Sequence, residues 1–202
     1  MTPTVTASGG RVGVLALQGD FAEHVAVLRR LGVEAAEVRT ARQLDGVDAL
    51  IIPGGESTSM AKLMDVYGLR EPLSTFARGG APVWGTCAGL IMLASRLADG
   101  RPEPLGLMDM VVSRNGFGRQ IDSFETDLQV EGLSGGPFHA VFIRAPLIQE
   151  TGPRVQVLAK LDDGRPVAAR QGNLLVTAFH PELTGDGRMH AYFAEMLAAK
   201  AV

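Results

Sequence analysis

Apolar and polar positions alternate in blocks along the first hundred residues. Three short blocks are apolar and lie between polar or glycine-rich segments: residues 12–17, 49–52 and 83–84. Such unbroken runs are typical of strands that are buried on both faces of a sheet. After the first run, Asp20 can begin a helix over residues 21–31, and residues 33–38 form a weaker strand. The pattern predicts the order β-α-β-β with parallel-sheet character.

The pattern changes after Arg101, where long helical segments give way to short apolar runs. The runs lie at residues 110–112, 124–130, 139–143, 155–161, 167–169 and 174–179. Two of the gaps between them, Asp162-Asp163-Gly164 and Gln171-Gly172-Asn173, have the composition of hairpin turns. We therefore expect an antiparallel extension of the sheet, followed by an amphipathic helix over residues 189–200.

Length and composition limit the class of protein. At 202 residues, with 46% hydrophobic and 20% charged residues, the chain suits one α/β domain with a substantial core. We expect residues 1–10, which are small and polar, to be a flexible tail and residues 11–202 to be a single domain. The net charge of -3 gives no basic excess to favour nucleic acid or an acidic membrane surface. One cysteine, no apolar stretch of about 20 residues and no signal pattern favour a cytoplasmic protein.

The segment 83–94 predicts a strand, a sharp turn and a helix around Cys87. The turn reads Gly85-Thr86-Cys87-Ala88-Gly89, and its glycines relieve the crowding of a strained turn that packs closely against a sheet. A nucleophile at such a turn stands clear of the sheet. A lone cysteine is more commonly a small buried hydrophobe, so Cys87 by itself does not decide between the two interpretations.

A base and a carboxylate follow another predicted strand. The run 174–179 ends in His180-Pro181-Glu182. Because the ends of parallel strands converge at one edge of a sheet, Cys87, His180 and Glu182 can meet in space. The thiolate would attack, the imidazole would withdraw and return a proton, and the carboxylate would orient the imidazole. The arrangement predicts a Cys-His-Glu triad.

A glycine-rich loop, Pro-Gly-Gly-Glu-Ser at residues 53–57, follows the strand predicted at residues 49–52. It can be a simple turn in which Ser57 caps the next helix. Gly54 and Gly55 also allow backbone N–H groups to approach a ligand oxygen, as an oxyanion hole requires. We expect the glycines to form that hole and Ser57 to cap the helix.

Three histidines and two arginines at strand ends are further candidates outside these motifs. His24 and His190 fall in predicted helices and His139 in a predicted strand, without partners at metal-ligand spacing. We therefore expect surface or packing roles for them and no bound metal. Arg114 and Arg144 each end an apolar strand. Such an arginine is either a solvated strand end or a bidentate donor for a substrate carboxylate, and periodicity does not decide between these roles.

Taken together, the motifs resemble those of the triad-type (class I) glutamine amidotransferases. More narrowly, the chain is similar to the family of glutaminase subunits of pyridoxal 5'-phosphate synthase. The segments that carry the narrower resemblance are residues 17–19, 53–58, 85–90, 114–115, 117–120, 122–125, 142–146, 168–171 and 179–184. The resemblance extends over nearly the whole chain from about Arg11. It departs from the family pattern in the N-terminal extension and at Gly116, where we expect a serine.

The resemblance implies a three-layer α/β sandwich with a mixed, mostly parallel central sheet. It also implies hydrolysis of L-glutamine to glutamate and ammonia without a cofactor, and transfer of the ammonia to a lyase subunit in a large hetero-oligomer that makes pyridoxal 5'-phosphate. Cys87 would be the nucleophile, His180 the general base and acid, and Glu182 its orienting partner. The N–H groups of Gly55 and Ala88 would hold the oxyanion. The residues implied to contact glutamine are Gly55, Glu56, Ser57, Arg114, Ile143 and Arg144.

Three alternatives remain open on the sequence. A glutaminase subunit of a different synthase would keep the triad without the segments at residues 114–115 and 142–144. A cysteine hydrolase of esters or lactones would use the same turn and histidine, with an apolar pocket in place of Glu56 and the paired arginines. A non-catalytic binding subunit is the third alternative, and the intact triad argues against it.

Overall fold

The computed structural model describes residues 10–114 and 123–200. Gly116 and the predicted tail, except Gly10, lie outside the described residues. The strands within these ranges are β1 (Arg11–Leu15), β2 (Glu34–Val38), β3 (Ala49–Ile52), β4 (Val83–Thr86), β5 (Ala94–Leu97), β6 (Met108–Ser113), β7 (Ser123–Leu128), β8 (Phe138–Ile143), β9 (Leu147–Thr151), β10 (Gln156–Lys160), β11 (Pro166–Gln171) and β12 (Leu174–Thr177). The helices are α1 (Phe21–Arg30), α2 (Ala41–Leu44), α3 (Ser57–Val66), α4 (Arg70–Arg78), α5 (Ala88–Leu93) and α6 (Arg188–Lys200), and a 3-10 turn covers Pro181–Leu183.

Seven strands form one large mixed sheet in the order β10-β11-β12-β4-β3-β1-β2. The strands from β12 to β2 are parallel to their neighbours, while β11 and β10 add to the β12 edge in antiparallel pairing. β3, β4 and β12 are buried at every position, as strands covered on both faces are. The apolar runs that predicted these strands therefore form the centre of the sheet.

Helices cover both faces of the large sheet. Trp84 on β4 packs against Phe193 of α6, with ring centroids 5.6 Å apart, whereas a side chain at Gly85 would collide with the backbone of Gly89 in α5. Because successive residues of a strand point to opposite faces, α6 and α5 lie on opposite faces of the sheet. α1 contacts α6, and α3 contacts α5. Right-handed crossovers between parallel strands put α2 and α4 on the α5 face. The predicted three-layer sandwich is confirmed.

The second half differs from the expected antiparallel extension of one sheet. Of the described strands there, β10, β11 and β12 belong to the large sheet, and the predicted hairpin turns at residues 162–164 and 171–173 join them. The others form a three-stranded sheet, β5-β6-β9, and a two-stranded sheet, β7-β8. The prediction was wrong on this point because a short apolar run shows that a strand is covered but not which sheet it joins. The pattern also misses α2, β5 and β9, which have only four or five residues each.

Aromatic side chains attach the two-stranded sheet to the large one. Phe138 and Phe142 of β8 lie 5.7 Å and 5.6 Å, centroid to centroid, from Phe179, which follows β12. All three rings are fully buried, so they fix the end of β8 beside the end of β12.

Among the described helices, none has the length and apolarity that crossing a membrane requires.

Candidate active site

Three loops meet at the carboxyl edge of the large sheet. The loop at residues 53–56 follows β3, Cys87 follows β4, and His180 comes three residues after β12. β3 and β12 both pair with β4 in parallel, so the three loops leave neighbouring strands at the same edge. The predicted convergence of Cys87 and His180 at one edge of the sheet is confirmed, and the loop at residues 53–56 lies at the same edge.

Cys87 lies in a strained turn between β4 and α5. Its φ is +46°, in the left-handed region that residues other than glycine rarely adopt. Side chains at Gly85 or Gly89 would collide with the backbone of Gly89 or Ile52, respectively, so the turn packs against the sheet only with glycine at both positions. The cysteine is buried, and its Sγ lies 4.0 Å from the carbonyl oxygen of Ile143. Strand, turn and helix thus hold the thiol in one place, as a nucleophile requires.

His180 and Glu182 form a close buried pair. Nδ1 of His180 lies 2.7 Å from Oε1 of Glu182, and Pro181 between them begins the 3-10 turn. Burial opposes a charge on the imidazole, but hydrogen bonds to Cys87 and Glu182, and the charges of both, raise the pKa of His180 to about 10. At neutral pH the imidazolium is therefore the favoured form. The structure brings together the three residues of the predicted triad.

The two glycines of the loop after β3 lie beside the triad. Gly55 has a φ of +135°, which glycine adopts without strain, and a side chain at Gly54 would collide with the ring of His180. Ala88 is the first residue of α5, and the first N–H groups of a helix have no partner within it. Of the two predicted oxyanion donors, Gly55 thus lies in the loop that borders His180, and Ala88 directly follows Cys87 at the start of α5.

Glu56, and not Ser57, caps α3. Its two carboxylate oxygens accept backbone hydrogen bonds from Thr58 at 2.9 Å and Ser59 at 2.7 Å. The prediction for Ser57 was wrong because this residue is already the first of the helix, while a capping residue lies just outside it. Partial burial opposes the charge, but these hydrogen bonds lower the pKa of Glu56 to about 2. Its backbone N–H donates to Oε1 of Gln18 at 3.0 Å, which ties the loop to the end of β1.

The candidate substrate-binding arginines approach the triad from the small sheets. Arg114 follows β6 and donates from Nη1 to Thr58 Oγ1 at 3.2 Å, so it lies beside the start of α3. Its buried Nε forms no hydrogen bond with the described residues, although Asp99 lies 3.5 Å away. Ile143 ends β8 with its carbonyl near the thiol of Cys87. Arg144 follows it, is exposed and has a φ of +43°.

One group among the described residues has the spacing of metal ligands: Asp20, His180 and Glu182, whose ligand atoms lie within 4.8 Å of one another. Asp20 occupies the predicted N-cap position of α1 but forms no capping hydrogen bond, and its carboxylate lies 3.5 Å from Nδ1 of His180. Nδ1 therefore faces both carboxylates and carries the proton that it shares with Glu182. A metal ion would have to displace that proton. The expectation of no metal stays a prediction.

His24 and His190 lie closer to the site than the sequence indicated. Both are fully buried, as packing residues are, but His24 also lies beside Glu182 and contacts His190. Nε2 of His24 lies 3.4 Å from Oε2 of Glu182, and its Nδ1 lies 2.9 Å from Nε2 of His190. The sequence contains a signal for the burial of His24. It precedes Leu28 and Leu31 by four and seven residues, the spacing that puts all three on one helical face.

Comparison with known proteins extends over nearly the full length of the chain. A family model described as the SNO glutamine amidotransferase family matches residues 14–199. A relative from Acidothermus cellulolyticus, named pyridoxal 5'-phosphate synthase subunit PdxT, is 55% identical and aligns with 98% of this chain and 99% of its own. A relative of the same name from Herpetosiphon aurantiacus is 60% identical, with 90% and 97% covered. A crystal structure described as a glutamine amidotransferase has a TM-score of 0.87 at 51% identity, with 93% of this chain and 98% of that chain covered.

Proposed function

Because this chain belongs to the SNO glutamine amidotransferase family, we propose that it is the glutaminase subunit of a pyridoxal 5'-phosphate synthase. It hydrolyses L-glutamine to L-glutamate and ammonia. The observation that carries this function is the buried pair of His180 and Glu182, 2.7 Å apart, whose imidazole interacts with Cys87. Amide cleavage requires a nucleophile, an acid for the leaving nitrogen and a group that supports the acid.

The reaction begins at Cys87. Its thiolate attacks the γ-carboxamide carbon of glutamine, and the carbonyl electron pair moves onto oxygen. When the carbonyl reforms, the C–N bond breaks and His180 gives its proton to the nitrogen, which leaves as ammonia. The γ-glutamyl thioester remains on Sγ. His180, now neutral, takes a proton from water while the water oxygen attacks the thioester, and cleavage of the C–S bond releases glutamate and restores the thiolate and imidazolium.

We assign the developing oxyanion to the N–H groups of Gly55 and Ala88. Ala88 supplies an N–H that α5 leaves without an internal partner. Gly55 accepts either sign of φ at little cost, so its peptide can turn the N–H toward the substrate oxygen. One such donor typically stabilises the transition state by about 3 to 4 kcal/mol.

The amino-acid end of glutamine lies between Glu56 and the arginines. Glu56, with a pKa of about 2, stays ionised and attracts the α-ammonium group. The guanidinium of Arg114, whose Nη1 donates to Thr58 at the start of α3, is a cation for the α-carboxylate. The remaining contacts that we assign to glutamine are Gly55, Ser57, Ile143 and Arg144.

The partner is a lyase subunit that receives the ammonia within a hetero-oligomer. This proposal is supported by the synthase named for the relatives at 55% and 60% identity. Chemistry also favours direct transfer, because ammonia released into neutral water becomes protonated and loses its nucleophilic electron pair. We assign the glutaminase to residues 11–202 as a single domain, in keeping with a family match over residues 14–199. A cytoplasmic location stays a prediction.

The alternatives have less support. A hydrolase of esters or lactones needs an apolar pocket, yet the charged residues Glu56 and Arg114 both lie at the start of α3. A glutaminase subunit of another synthase is disfavoured by the names of the relatives. A non-catalytic subunit would have no use for the strained backbone of Cys87.

The test measures glutamate released from L-glutamine by the full chain with the lyase subunit present. We expect turnover by the wild type and a loss of at least about a thousandfold for Cys87→Ala, because no other side chain can form the thioester. Glu150→Ala, at an exposed position on β9, is the control and retains the wild-type rate. Turnover by Cys87→Ala at the wild-type rate contradicts the proposal. So does faster hydrolysis of an ester that lacks the γ-glutamyl group than of glutamine.

A further inference from the structure

The two carboxylate oxygens of Glu182 have different surroundings. Oε1 is 2.7 Å from Nδ1 of His180. Oε2 is buried and forms no hydrogen bond of good geometry with the described residues, but Nε2 of His24 lies 3.4 Å from it. The same nitrogen lies 3.3 Å from Oγ1 of Thr86. A buried, ionised oxygen is costly without a donor, so the protonation of His24 decides how well Glu182 is held.

The contacts between His24 and His190 determine which nitrogen carries the proton. If Nε2 of His24 is protonated, its N–H can donate to Oγ1 of Thr86 at 3.3 Å and lies beside Oε2 of Glu182, 3.4 Å away, while its Nδ1 accepts from Nε2 of His190 across 2.9 Å. The one atom then left unpaired is Nδ1 of His190, a bare acceptor. In the opposite tautomer, Nδ1 of His190 would be an orphaned buried donor, and a lone pair of His24 would face the carboxylate. The first arrangement is favoured because it avoids both penalties.

Both histidines are neutral in the folded protein. Burial lowers the pKa of His24 to about 3, although the charge of Glu182 opposes this effect. Burial, together with the positive charge of Arg30, lowers the pKa of His190 to about 3. The charged or titratable groups that act on His24 are Glu182, His190 and His180. A neutral His24 supplies an N–H to Glu182 without cancelling the negative charge that His180 needs.

We propose that His24 is a positioning residue for the triad. It adds a fourth, buried member to the series Cys87, His180 and Glu182. The N–H of His24 fixes the second oxygen of Glu182, so that Oε1 stays aimed at Nδ1 of His180. A fixed carboxylate keeps His180 in the tautomer and orientation that return a proton to the leaving group. The inference rests on the proposed function for its effect on turnover, but its structural part does not depend on that function.

The first experiment determines the tautomer by NMR of the ¹⁵N-histidine-labelled full chain at pH 7. The ring nitrogens of His24 are assigned by the signals that disappear in His24→Gln. We expect a proton on Nε2 and a bare Nδ1. A proton on Nδ1, or a doubly protonated ring, overturns the inference whatever the enzyme's activity.

The second experiment compares two substitutions of His24 in the complex with the lyase subunit. His24→Leu removes the donor, and we expect kcat to fall about tenfold with KM within twofold of wild type, as the loss of an outer hydrogen-bond partner does at other sites. His24→Gln has an amide NH₂ that can take the place of Nε2–H. We expect its loss in log kcat to be at most half of the loss in His24→Leu. Phe193→Leu is the matched control, since it opens a space in the same core, where Phe193 packs against Trp84 and not against Glu182 or His24, and its kcat falls less than threefold. Equal losses in the three variants contradict a positioning role.

A third measurement separates this inference from the proposed function. Cys87 is the one cysteine of the chain, so the rate of its alkylation by iodoacetamide reports the thiolate alone. His24→Leu should slow alkylation at pH 7, because a loosened Glu182 supports the imidazolium beside the thiolate less well. His24→Gln should keep the wild-type rate. An unchanged rate in His24→Leu overturns the inference even if glutamine is hydrolysed, and a slower rate supports it even if glutamine is not the substrate.

Discussion

Two residues at the site have strained backbone conformations. Cys87 and Arg144 both have positive φ values, +46° and +43°, although neither is glycine. Such conformations cost on the order of 1 to 3 kcal/mol and persist where the surroundings impose them. At Cys87 the surroundings are β4, α5 and the close glycine contacts at both ends of the turn. The turn therefore holds the thiol in position at a cost to the free energy of unfolding.

Replacement of Cys87 tests this strain directly. In the middle of a helix or strand, glycine destabilises the protein by about 0.5 to 1 kcal/mol relative to alanine. At position 87 we expect the reverse, with Cys87→Gly at least as stable as Cys87→Ala, because glycine adopts a positive φ freely. Urea unfolding of both variants gives the two free energies. Lys62, exposed in the middle of α3, provides the control pair, in which the alanine variant must be the more stable.

At the scale of elements, the start of α3 depends on one ionised side chain. Glu56 caps the helix with both oxygens, and these hydrogen bonds keep its pKa at about 2, below the ordinary value of 4.5. A carboxyl group with a depressed pKa stabilises the folded state above its unfolded pKa. That contribution is lost as the pH falls from about 4.5 through 2.

The corresponding prediction concerns Glu56→Gln. An amide has one acceptor oxygen in place of two, so we expect the free energy of unfolding at pH 7 to fall by about 1 kcal/mol, the size of a lost cap. The difference from wild type should shrink steadily below pH 4.5, where the wild type also loses its carboxylate. Thermal unfolding followed between pH 2.5 and 7 measures this. Glu23→Gln, at an exposed position in α1, is the control and should show no comparable convergence.

How far the sequence predicts these elements depends on how much of the information is local. The runs that became β3, β4 and β12 are unbroken, and the residues that follow them, Cys87 and His180, could be placed at one edge by topology alone. β5 was missed because Ser95 and Arg96, between its apolar ends, are exposed and give no strand pattern. Its pairing partner β6 determines that strand, and partners are not visible in a local pattern.

The candidate site was predictable to the same extent. The triad and both glycine turns carry local signatures, whereas the cap of α3 did not, since Glu56 and Ser57 are adjacent acceptors and the turn geometry chooses between them. The burial of His24 and His190 against each other depends on how α1 and α6 pack on the sheet. That contact joins residues 166 positions apart in the chain.

At the scale of the whole molecule, its histidines respond to pH in opposite directions. Burial keeps His24 and His190 neutral with pKa values of about 3, below the ordinary 6.5, so the unfolded chain binds their protons first as the pH falls. Their contribution to stability is present above pH 6.5 and is lost as the pH falls toward 3. The raised pKa of His180, about 10, acts oppositely, since its contribution is present below pH 6.5 and is lost as the pH rises through 10.

We therefore expect the free energy of unfolding to fall on both sides of neutrality. Between pH 6 and 5, each buried histidine should contribute a slope of about 1.4 kcal/mol per pH unit. His190→Leu should lower that slope by one such contribution, and His139→Leu, at an exposed position on β8, should not lower it. Urea titrations at half-unit steps from pH 5 to 10 provide the curves. A slope in His190→Leu equal to that of the wild type would show that this residue is not buried as a neutral ring.

The division of the strands between sheets has a consequence for how such an enzyme diversifies. The loops that carry Cys87 and His180 leave the large sheet, while Arg114 follows β6 and Ile143 ends β8, in the two small sheets. Under the proposed assignment of Arg114 and Ile143 to the substrate, changes in the small sheets can alter which amide binds without moving the thiol or the imidazole. The two-stranded sheet is joined to the segment after β12 by contacts that include a 2.8 Å hydrogen bond from the backbone N–H of His180 to the carbonyl of Val141 in β8. Descendants of one ancestor can therefore inherit the chemistry unchanged and still acquire new substrates, provided that this joint is kept.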